Sequence, residues 1–261
     1  MPIGLCKLCR QNKDLRDSHY IPRAMYKGTA APGMRNPNPV VITRKQTGRT
    51  SRQIRDYVLC GDCERRFNKN GEDWMLKALG AGKRFPLRDR LDVAVPESAT
   101  AELRRYSCST TGINAEKLGY FALSVFWRGG IHDWRDPFGS PAPKLDLAEM
   151  EEPIRKYLYG EEQIPGKIAL VVRVCDDQGS RETLLGPTVC STGHFEMMTL
   201  GVHFELFVGS AVEPGYYAIS CVNSEKKFIF RRNCFRRMLQ HYDDLERTSQ
   251  RSKQVIAEWP D

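Results

Sequence analysis

The sequence lacks the features of several protein classes. No stretch approaches the roughly 18 consecutive apolar residues of a transmembrane helix, so none is expected. There is no internal repeat and no low-complexity segment, which argues against a solenoid or a disordered linker protein. No charged-then-apolar segment stands before Cys6, so no secretory signal is expected there. We therefore expect a cytoplasmic globular protein with no membrane partner.

Composition sets only broad limits. The chain has 261 residues, of which 41% are hydrophobic and 10% aromatic, as in an ordinary globular protein. This length accommodates one large domain or two modest ones. We predict a first module over residues 1–82 and a second, α+β domain of unassigned role over residues 83–261.

Positive charge is concentrated in the first third of the chain. Residues 1–90 contain 20 Lys and Arg against 8 Asp and Glu, a net of +12, whereas the other 171 residues contain 20 and 24, a net of −4. A basic module beside a mildly acidic body is typical of a protein that binds a phosphate backbone. The alternative is a solvated basic surface without a partner.

Four of the nine cysteines form two CxxC pairs, Cys6 with Cys9 and Cys60 with Cys63. One tight turn brings both sulfurs of such a pair to the same ion, and four thiolates complete a closed tetrahedral zinc site. We therefore predict a structural Zn²⁺. The alternatives are two disulfides, which need an oxidising compartment, or unrelated buried thiols. The remaining cysteines are expected to be reduced core thiols: Cys108, Cys175, Cys190, Cys221 and Cys234.

The first module is predicted to contain short strands and one helix. The strands are Ser18–Ile21, Val40–Thr43 and Tyr57–Leu59. A loop rich in glycine and proline covers residues 27–39, and a basic stretch without acidic residues begins at Arg44 and ends at Arg55. A helix is predicted from Glu64 to about Leu79, with an interruption at Asn70-Gly71.

The second part is predicted to contain a linker, then helices, then strands. Residues 83–96 have the composition of a linker, and helices are predicted from the N-cap Asn114 to Gly129-Gly130 and over Leu147–Tyr159. Asn233 is predicted to cap a final helix that ends near Arg247. A mostly antiparallel sheet is predicted from Ile168–Val174, Thr183–Leu185, Phe195–Leu200, Val202–Val208, Tyr216–Val222 and Lys227–Phe230.

His19 is the only histidine of the basic module. The unperturbed pKa of imidazole lies near working pH, so this side chain could accept a proton from a water that attacks a phosphodiester. A nearby Mg²⁺ would stabilise the charge that develops on the phosphate. The alternative is a structural histidine whose ring bonds a backbone carbonyl.

Together these motifs resemble the HNH endonucleases of the His-Me finger, or ββα-metal, type that carry four zinc-binding cysteines. Their usual order is CxxC, a strand ending in an Asp-His-Ile-x-Pro-like motif, a loop and second strand, then Leu-Cys-x-x-Cys entering a helix. This chain has Cys6-x-x-Cys9, then His19-Tyr20-Ile21-Pro22, then Leu59-Cys60-x-x-Cys63. The resemblance covers about residues 5–75. It implies a treble-clef ββα-metal module within an α+β protein.

The resemblance also implies roles for single residues. His19 matches the general base that hydrolyses DNA phosphodiester bonds, and the four paired cysteines match the structural zinc site. A catalytic Mg²⁺ or Mn²⁺ is expected near Glu64, with Asp17 as a second candidate ligand. Five arginines are expected to bind phosphates around the scissile bond: Arg49, Arg52, Arg55, Arg65 and Arg66. Their alternative role is a solvated face paired with Asp62 or Glu64.

The sequence departs from the family pattern at three positions. Ser18 stands where a metal ligand commonly precedes the base, and Glu64 stands where the family has His or Asn. The middle asparagine falls near Arg55 or Asp56 and is not matched. The departures leave two main hypotheses: a variant active site that includes Asp17 or Glu72, or a zinc module that only binds nucleic acid or a protein. A purely structural zinc knob is a third.

The expected partner in the nuclease hypothesis is DNA. By analogy with four-cysteine relatives, a bacterial or phage setting such as phage defence is expected. A homodimer would allow both strands to be cut, although no residue of the sequence supports it.

Overall fold

The computed structural model describes residues 1–29, 37–43, 45–82, 84–233, 243, 247 and 249–251. These residues form a mixed α+β fold with three β-sheets. Arg44, Cys234 and most of the predicted final helix after Asn233 lie outside the described residues, as does the middle of the predicted loop over residues 27–39.

Five short strands lie in the N-terminal part of the chain. They are β1 (Ile3–Leu5), β2 (Asn12–His19), β3 (Val40–Ile42), β4 (Gln46–Arg49) and β5 (Arg55–Cys60). β1, β2 and β5 form an antiparallel sheet in the order β1-β2-β5. A 3₁₀ turn and the β3–β4 hairpin separate β2 from β5 along the chain. The first predicted strand therefore ends at His19 instead of Ile21.

The register between β2 and β5 decides which residues meet near His19. A bulge between Arg16 and Asp17 shifts the pairing, so that Ser18 lies opposite Asp56 and His19 lies opposite Arg55. Such a bulge changes the direction in which the following side chains point.

The helix after the second cysteine pair changes its winding in the middle. α1 (Gly61–Phe67) leads through one π-helical turn (Asn68–Glu72) into α2 (Asp73–Leu79). The interruption predicted at Asn70-Gly71 takes the form of this turn. A Cβ at Gly71 would lie 2.8 Å from the backbone nitrogen of Phe121, so glycine is needed for the close approach.

The predicted linker is largely ordered, which corrects the sequence-based prediction. It contains α3 (Pro86–Val93), and β6 (Ser98–Ala99), β7 (Leu103–Ser107) and α4 (Cys108–Thr111) follow it. Proline is favourable at the first position of a helix, and α3 buries Leu87 and Leu91 on one face.

The central helix of the fold is α5 (Ala115–Ile131). The side chain of Asn114 accepts a hydrogen bond from the Lys117 N–H at 2.9 Å and caps it, as predicted. Fourteen of its 17 residues are buried, so it lies inside the protein. The helix continues through Gly129-Gly130 and does not end there as predicted. Since these glycines have no Cβ atoms, Leu145 and Leu147 can pack closely against the helix. The next predicted helix is α6 (Glu151–Tyr159).

A seven-stranded sheet fills most of the C-terminal part. After β6 and β7, its strands are β8 (Ile168–Cys175), β9 (Leu184–Ser191), β10 (His194–Thr199), β11 (Val202–Val208) and β12 (Phe228–Arg232). Two short helices connect them, α7 (Gln178–Arg181) after β8 and α8 (Pro214–Ala218) after β11. The strand order is β6-β7-β12-β8-β11-β10-β9, and only β12 and β8 pair in parallel. The strand predicted at Tyr216–Val222 is wrong, because Pro214 begins a short helix there.

The two parts of the chain share one hydrophobic core. One cluster of buried residues includes Leu8 and Phe67 from the cysteine-bearing part and Phe121, Trp127 and Leu206 from the rest. A last short strand, β13 (Gln250–Arg251), pairs with β4. Among the described helices, none has the length and apolar character to cross a membrane.

Candidate functional site

The two CxxC pairs meet in space. Ligand atoms of Cys6, Cys9, Cys60 and Cys63 all lie within 4.8 Å of one another, and the Cys9 and Cys60 sulfurs are 3.9 Å apart. Zinc–sulfur bonds of about 2.3 Å place the sulfurs of a tetrahedral site about 3.8 Å apart. The four cysteines therefore form a cluster that could hold a metal ion and is consistent with a structural zinc site. No other group of three or more candidate ligands occurs in the described part of the chain.

Local backbone geometry positions the first pair. The Cys6 carbonyl accepts a hydrogen bond from Arg10 N–H at 2.9 Å, and Arg10 has a φ of 59°, which closes the turn between β1 and β2. Lys7 N–H donates to the Val58 carbonyl at 3.1 Å and ties this turn to β5. Arg155 of α6 donates to the Leu8 carbonyl at 2.7 Å, so the C-terminal part also supports the turn.

The second pair is held at the junction of β5 and α1. Cys60 precedes α1 with an extended backbone, and its N–H donates to the Cys6 sulfur at 3.3 Å. A hydrogen bond with the Cys63 thiol lowers the pKa of Cys6 to about 4, although burial opposes this. The same contact raises the pKa of the Cys63 thiol.

His19 lies at the end of β2, half-buried. Burial lowers the pKa of its imidazole, with Arg23 and Arg55 acting in the same direction and Asp17 opposing them. Its ring has no hydrogen-bond partner among the residues that the structure describes. The alternative of a structural histidine bonded to a backbone carbonyl therefore finds no support in this geometry.

Ser18 and Glu64 connect the end of β2 to the first turn of α1. The Ser18 hydroxyl accepts a hydrogen bond from Leu59 N–H at 3.1 Å, donates to the Arg16 carbonyl at 3.4 Å and lies near the Glu64 carboxylate. Burial raises the pKa of Glu64, whereas the charge of Arg128 and the nearby Ser18 hydroxyl lower it. The Oε1 atom of Glu64 is buried and has no hydrogen-bond partner within the described ranges. Glu64 therefore has one buried oxygen available for a cation.

Arg128 brings a buried positive charge to this corner. Its side chain is 2% exposed and pairs with Glu72 of the π-helical turn at 2.5 Å. It also lies over the Phe67 ring at 4.6 Å and 3.5 Å from the Tyr20 carbonyl oxygen, next to His19. Removing one partner of a buried ion pair destabilises a protein strongly. The Arg128–Glu72 pair therefore joins α5 to the π-helical turn, and the contact of Arg128 with the Tyr20 carbonyl joins α5 to the end of β2.

Asp17 does not join Glu64. Its carboxylate forms an ion pair with Arg55 at 2.5 Å on the exposed side of the sheet. Asp17 and Arg55 therefore flank His19, while Glu64 lies with Ser18 at the beginning of α1.

The other predicted arginines are distributed around the module. Arg65 is 72% exposed and, together with Lys13, pairs with Asp62. Arg66 lies over the Tyr159 ring at 5.0 Å, facing α6. Arg49 donates to the Asn38 carbonyl at 2.7 Å, and Arg52 is exposed. Of the five predicted arginines, the structure thus places only Arg55 directly opposite His19.

A second histidine approaches the same strand pair from α5. His132 Nε2 lies 2.9 Å from Asp56 Oδ2, and Asp56 lies opposite Ser18 in the sheet. The His132 ring contacts the Trp134 ring edge-on at 4.9 Å, and Trp134 stacks on Tyr20 at 5.3 Å. Sequence reasoning missed His132, since it lies 76 residues from Asp56. It also missed the burial of Arg128, although a lone arginine in the apolar run from Phe121 to Gly130 was a signal.

Comparison with known proteins adds no assignment, since no family model, no curated protein and no solved structure matches the chain.

Proposed function

We propose that this protein is a metal-dependent endonuclease of the HNH type, which hydrolyses DNA phosphodiester bonds with His19 as general base. The observation that carries the proposal is the state of His19. Its imidazole is half-buried, free of hydrogen bonds within the described residues and favoured in its neutral form, with Arg23 and Arg55 nearby. A neutral imidazole between cations suits the removal of a proton from water beside a bound phosphate.

The residues of the module have distinct tasks in this proposal. His19 accepts the proton of the attacking water. Arg55, which is 59% exposed, and Arg23 bind the phosphate oxygens and hold the phosphorus near the water. The four cysteines hold a structural Zn²⁺ that keeps β2 and α1 in register, as in a treble-clef module.

A catalytic Mg²⁺ or Mn²⁺ fits the donor set at Glu64. This carboxylate lies near Ser18 and keeps one buried oxygen without a protein partner in the described part of the chain. Magnesium is commonly held by one or two carboxylates and by the phosphates of the substrate. When bound, such an ion would stabilise the negative charge on the phosphate.

A second candidate function is a zinc module that binds nucleic acid without cutting it. The specific observation in its favour is the loss of further ligands near Glu64. Asp17 is paired with Arg55, and Ser18 is used within the sheet. The buried guanidinium of Arg128 also supplies positive charge close to Glu64. In that case the basic first third of the chain would serve binding alone.

Supercoiled plasmid separates the two candidates. Wild-type protein, with zinc content measured, is incubated with plasmid in Mg²⁺ and in Mn²⁺, beside His19→Ala and the matched control His194→Gln. The nuclease proposal predicts nicking or linearisation by the wild type and the control, and loss of cleavage in His19→Ala. General base catalysis contributes about 10²–10⁴-fold.

Binding measurements complete the test. Intact plasmid in both metals, together with DNA binding whose affinity falls steeply with salt, would favour the binding module, because phosphate contacts release counterions. Absence of both cleavage and binding would reject both candidates and leave the structural zinc knob.

A further inference from the structure

An exposed tyrosine lies on the same face of the β2–β5 pair as His19. The register places Tyr57 opposite Asp17 and Arg55 opposite His19. Alternate residues of a strand point to the same face, so these four side chains share one face of the pair. Tyr57 is 47% exposed, and its ring is therefore open to solvent on that face.

The Tyr57 side chain takes no part in the packing that holds the module together. Within the described ranges, its ring stacks on no other aromatic ring, lies under no guanidinium and forms no hydrogen bond through its hydroxyl. The next residues of β5, Val58 and Leu59, are buried in the core instead. Single exposed aromatic residues are common on protein surfaces, so the position of Tyr57 matters more than its exposure.

Tyr57 is close enough to His19 to contact the nucleotide that is cut. His19 lies opposite Arg55, and Tyr57 follows Arg55 by two residues, so His19 and Tyr57 are diagonal neighbours on one face. Such neighbours are about 7–8 Å apart, which is within reach of an aromatic side chain. A nucleotide whose phosphate contacts Arg55 beside His19 can therefore place its base on the Tyr57 ring.

The charges around this ring favour a nucleic acid strand as its occupant. Arg55 is 59% exposed and is paired with Asp17, whose negative charge it offsets. Arg23 is also exposed and lies near enough to act on the charge of His19. Proteins that hold single strands combine cations for the phosphates with exposed aromatic rings on which the bases stack. The face with His19 has both kinds of group.

From this placement we infer that Tyr57 is a substrate-binding residue that stacks on an unpaired base beside the scissile phosphate of DNA. The inference deepens the proposed nuclease function and rests on it. In a duplex, neighbouring bases cover both faces of a base, so only an unpaired nucleotide offers its ring to Tyr57. The preferred substrate is therefore single-stranded DNA, or a duplex with an unpaired nucleotide at the cut site.

Two oligonucleotides of equal length and charge test the stacking without cleavage. One is oligothymidylate, and the other has the same phosphates on abasic sugars. Fluorescence anisotropy without added Mg²⁺ measures binding by wild type, Tyr57→Ala, Tyr57→Phe and Tyr217→Ala, a control at a tyrosine of α8 that is 41% exposed. Tyr57→Ala should lose about 10-fold or more in affinity for oligothymidylate and none for the abasic strand. The other two variants should bind both strands as wild type does.

Three binding results would overturn the inference. The first is an unchanged affinity of Tyr57→Ala for oligothymidylate. The second is an equal loss on both strands, because a structural change or a lost phosphate contact does not depend on bases. The third is a wild type that does not bind oligothymidylate.

Cleavage in Mg²⁺ of single-stranded and duplex versions of one sequence separates this inference from the nuclease function. Wild type should cut the single strand faster, and Tyr57→Ala should lose most of that preference. Faster cleavage of the duplex by wild type would overturn the substrate preference while the nuclease function stands. A wild type that cuts neither version, together with the base-dependent loss of binding in Tyr57→Ala, would overturn the nuclease function and leave Tyr57 as a base-binding residue.

Discussion

The histidines of the cysteine-bearing part and of the seven-stranded sheet differ in whether a carboxylate lies next to the imidazole ring. In the sheet, His203 pairs with Glu196 at 3.0 Å and His194 lies 3.3 Å from Glu205. His19 has no such carboxylate bonded to its ring in the described structure. His203 is hydrogen-bonded within the sheet, whereas both ring nitrogens of His19 lack a hydrogen-bond partner in the described part of the chain.

The two regions also differ in what holds them together. The large sheet buries apolar side chains in separate hydrophobic clusters. The β1-β2-β5 sheet leaves Ile3 80% exposed on its edge strand and depends on the cysteine cluster and on contacts with α5 and α6. The small region is therefore held by the cysteine cluster and one buried ion pair in addition to its share of the common core, whereas the large region is held mainly by packing.

The largest expected effect is the loss of the cysteine cluster. Structural zinc contributes about 10–16 kcal/mol to the folding of small zinc peptides. Cys60→Ser should therefore abolish zinc binding and lower the melting temperature strongly, whereas the exposed Cys190→Ser, in the large sheet, should change neither. Emission spectroscopy measures the zinc content of each variant, and thermal unfolding measures its melting temperature. Equal behaviour of the two variants would remove the distinction between the regions.

A smaller but still large loss is expected at the buried ion pair. Arg128→Met leaves Glu72 buried without its partner, so the free energy of unfolding should fall by about 3–5 kcal/mol. The half-exposed Arg88→Met, in a pair at 3.9 Å, should lose less than about 1 kcal/mol. Urea unfolding measures both. A double variant, Arg128→Met with Glu72→Met, should lose less than the sum of the two single changes.

An intermediate effect is expected where α5 meets the π-helical turn. Gly71→Ala would place a Cβ 2.8 Å from the Phe121 backbone nitrogen, and backbone cannot move aside cheaply. A loss of about 1–3 kcal/mol is expected from such overpacking. Gly166→Ala is the matched control, since a Cβ there meets nothing within 4 Å. The same urea experiment applies, and a tolerated Gly71→Ala would show that the contact is looser than described.

The smallest expected effect concerns the pKa of His19, which burial, Arg23 and Arg55 lower and Asp17 raises. Arg55→Gln should raise this pKa, and Asp17→Asn should lower it further, each by less than about one unit for exposed charges. A general base is active above its pKa, so the acid limit of activity should move up in pH in the first variant and down in the second. NMR titration of the imidazole measures the shifts directly. Shifts of the same sign would contradict the described surroundings.

Sequence reasoning located the parts whose partners are near in sequence or fixed by motif. The spacing of the CxxC pairs predicted their meeting, and the strand at Val40–Ile42 and the helix after the second pair follow from local pattern, whereas β4 within the basic stretch was not predicted. It misplaced Tyr216–Val222, because an apolar run of that length does not distinguish a strand from a short helix that Pro214 begins. It took α3 for a linker, since Pro86 and several charges hide the buried Leu87 and Leu91.

The chemistry that it missed depends on contacts between distant residues. Arg128 meets Glu72 across 56 residues, and His132 meets Asp56 across 76. Neither contact can be predicted from composition or periodicity. The bulge in the β2–β5 pairing also decides that Asp17 pairs with Arg55, and no residue pattern announces it.

The most direct test of the central claim is the rate of plasmid nicking in Mg²⁺ by wild type, His19→Gln and His194→Gln, each with zinc content and unfolding temperature confirmed. The two substitutions are identical in chemistry and differ only in region. The nuclease proposal predicts that His19→Gln is slower by about 10²-fold or more and that His194→Gln cuts at the wild-type rate. Equal rates for all three proteins, or no cleavage by any of them, would contradict the role of His19 as general base.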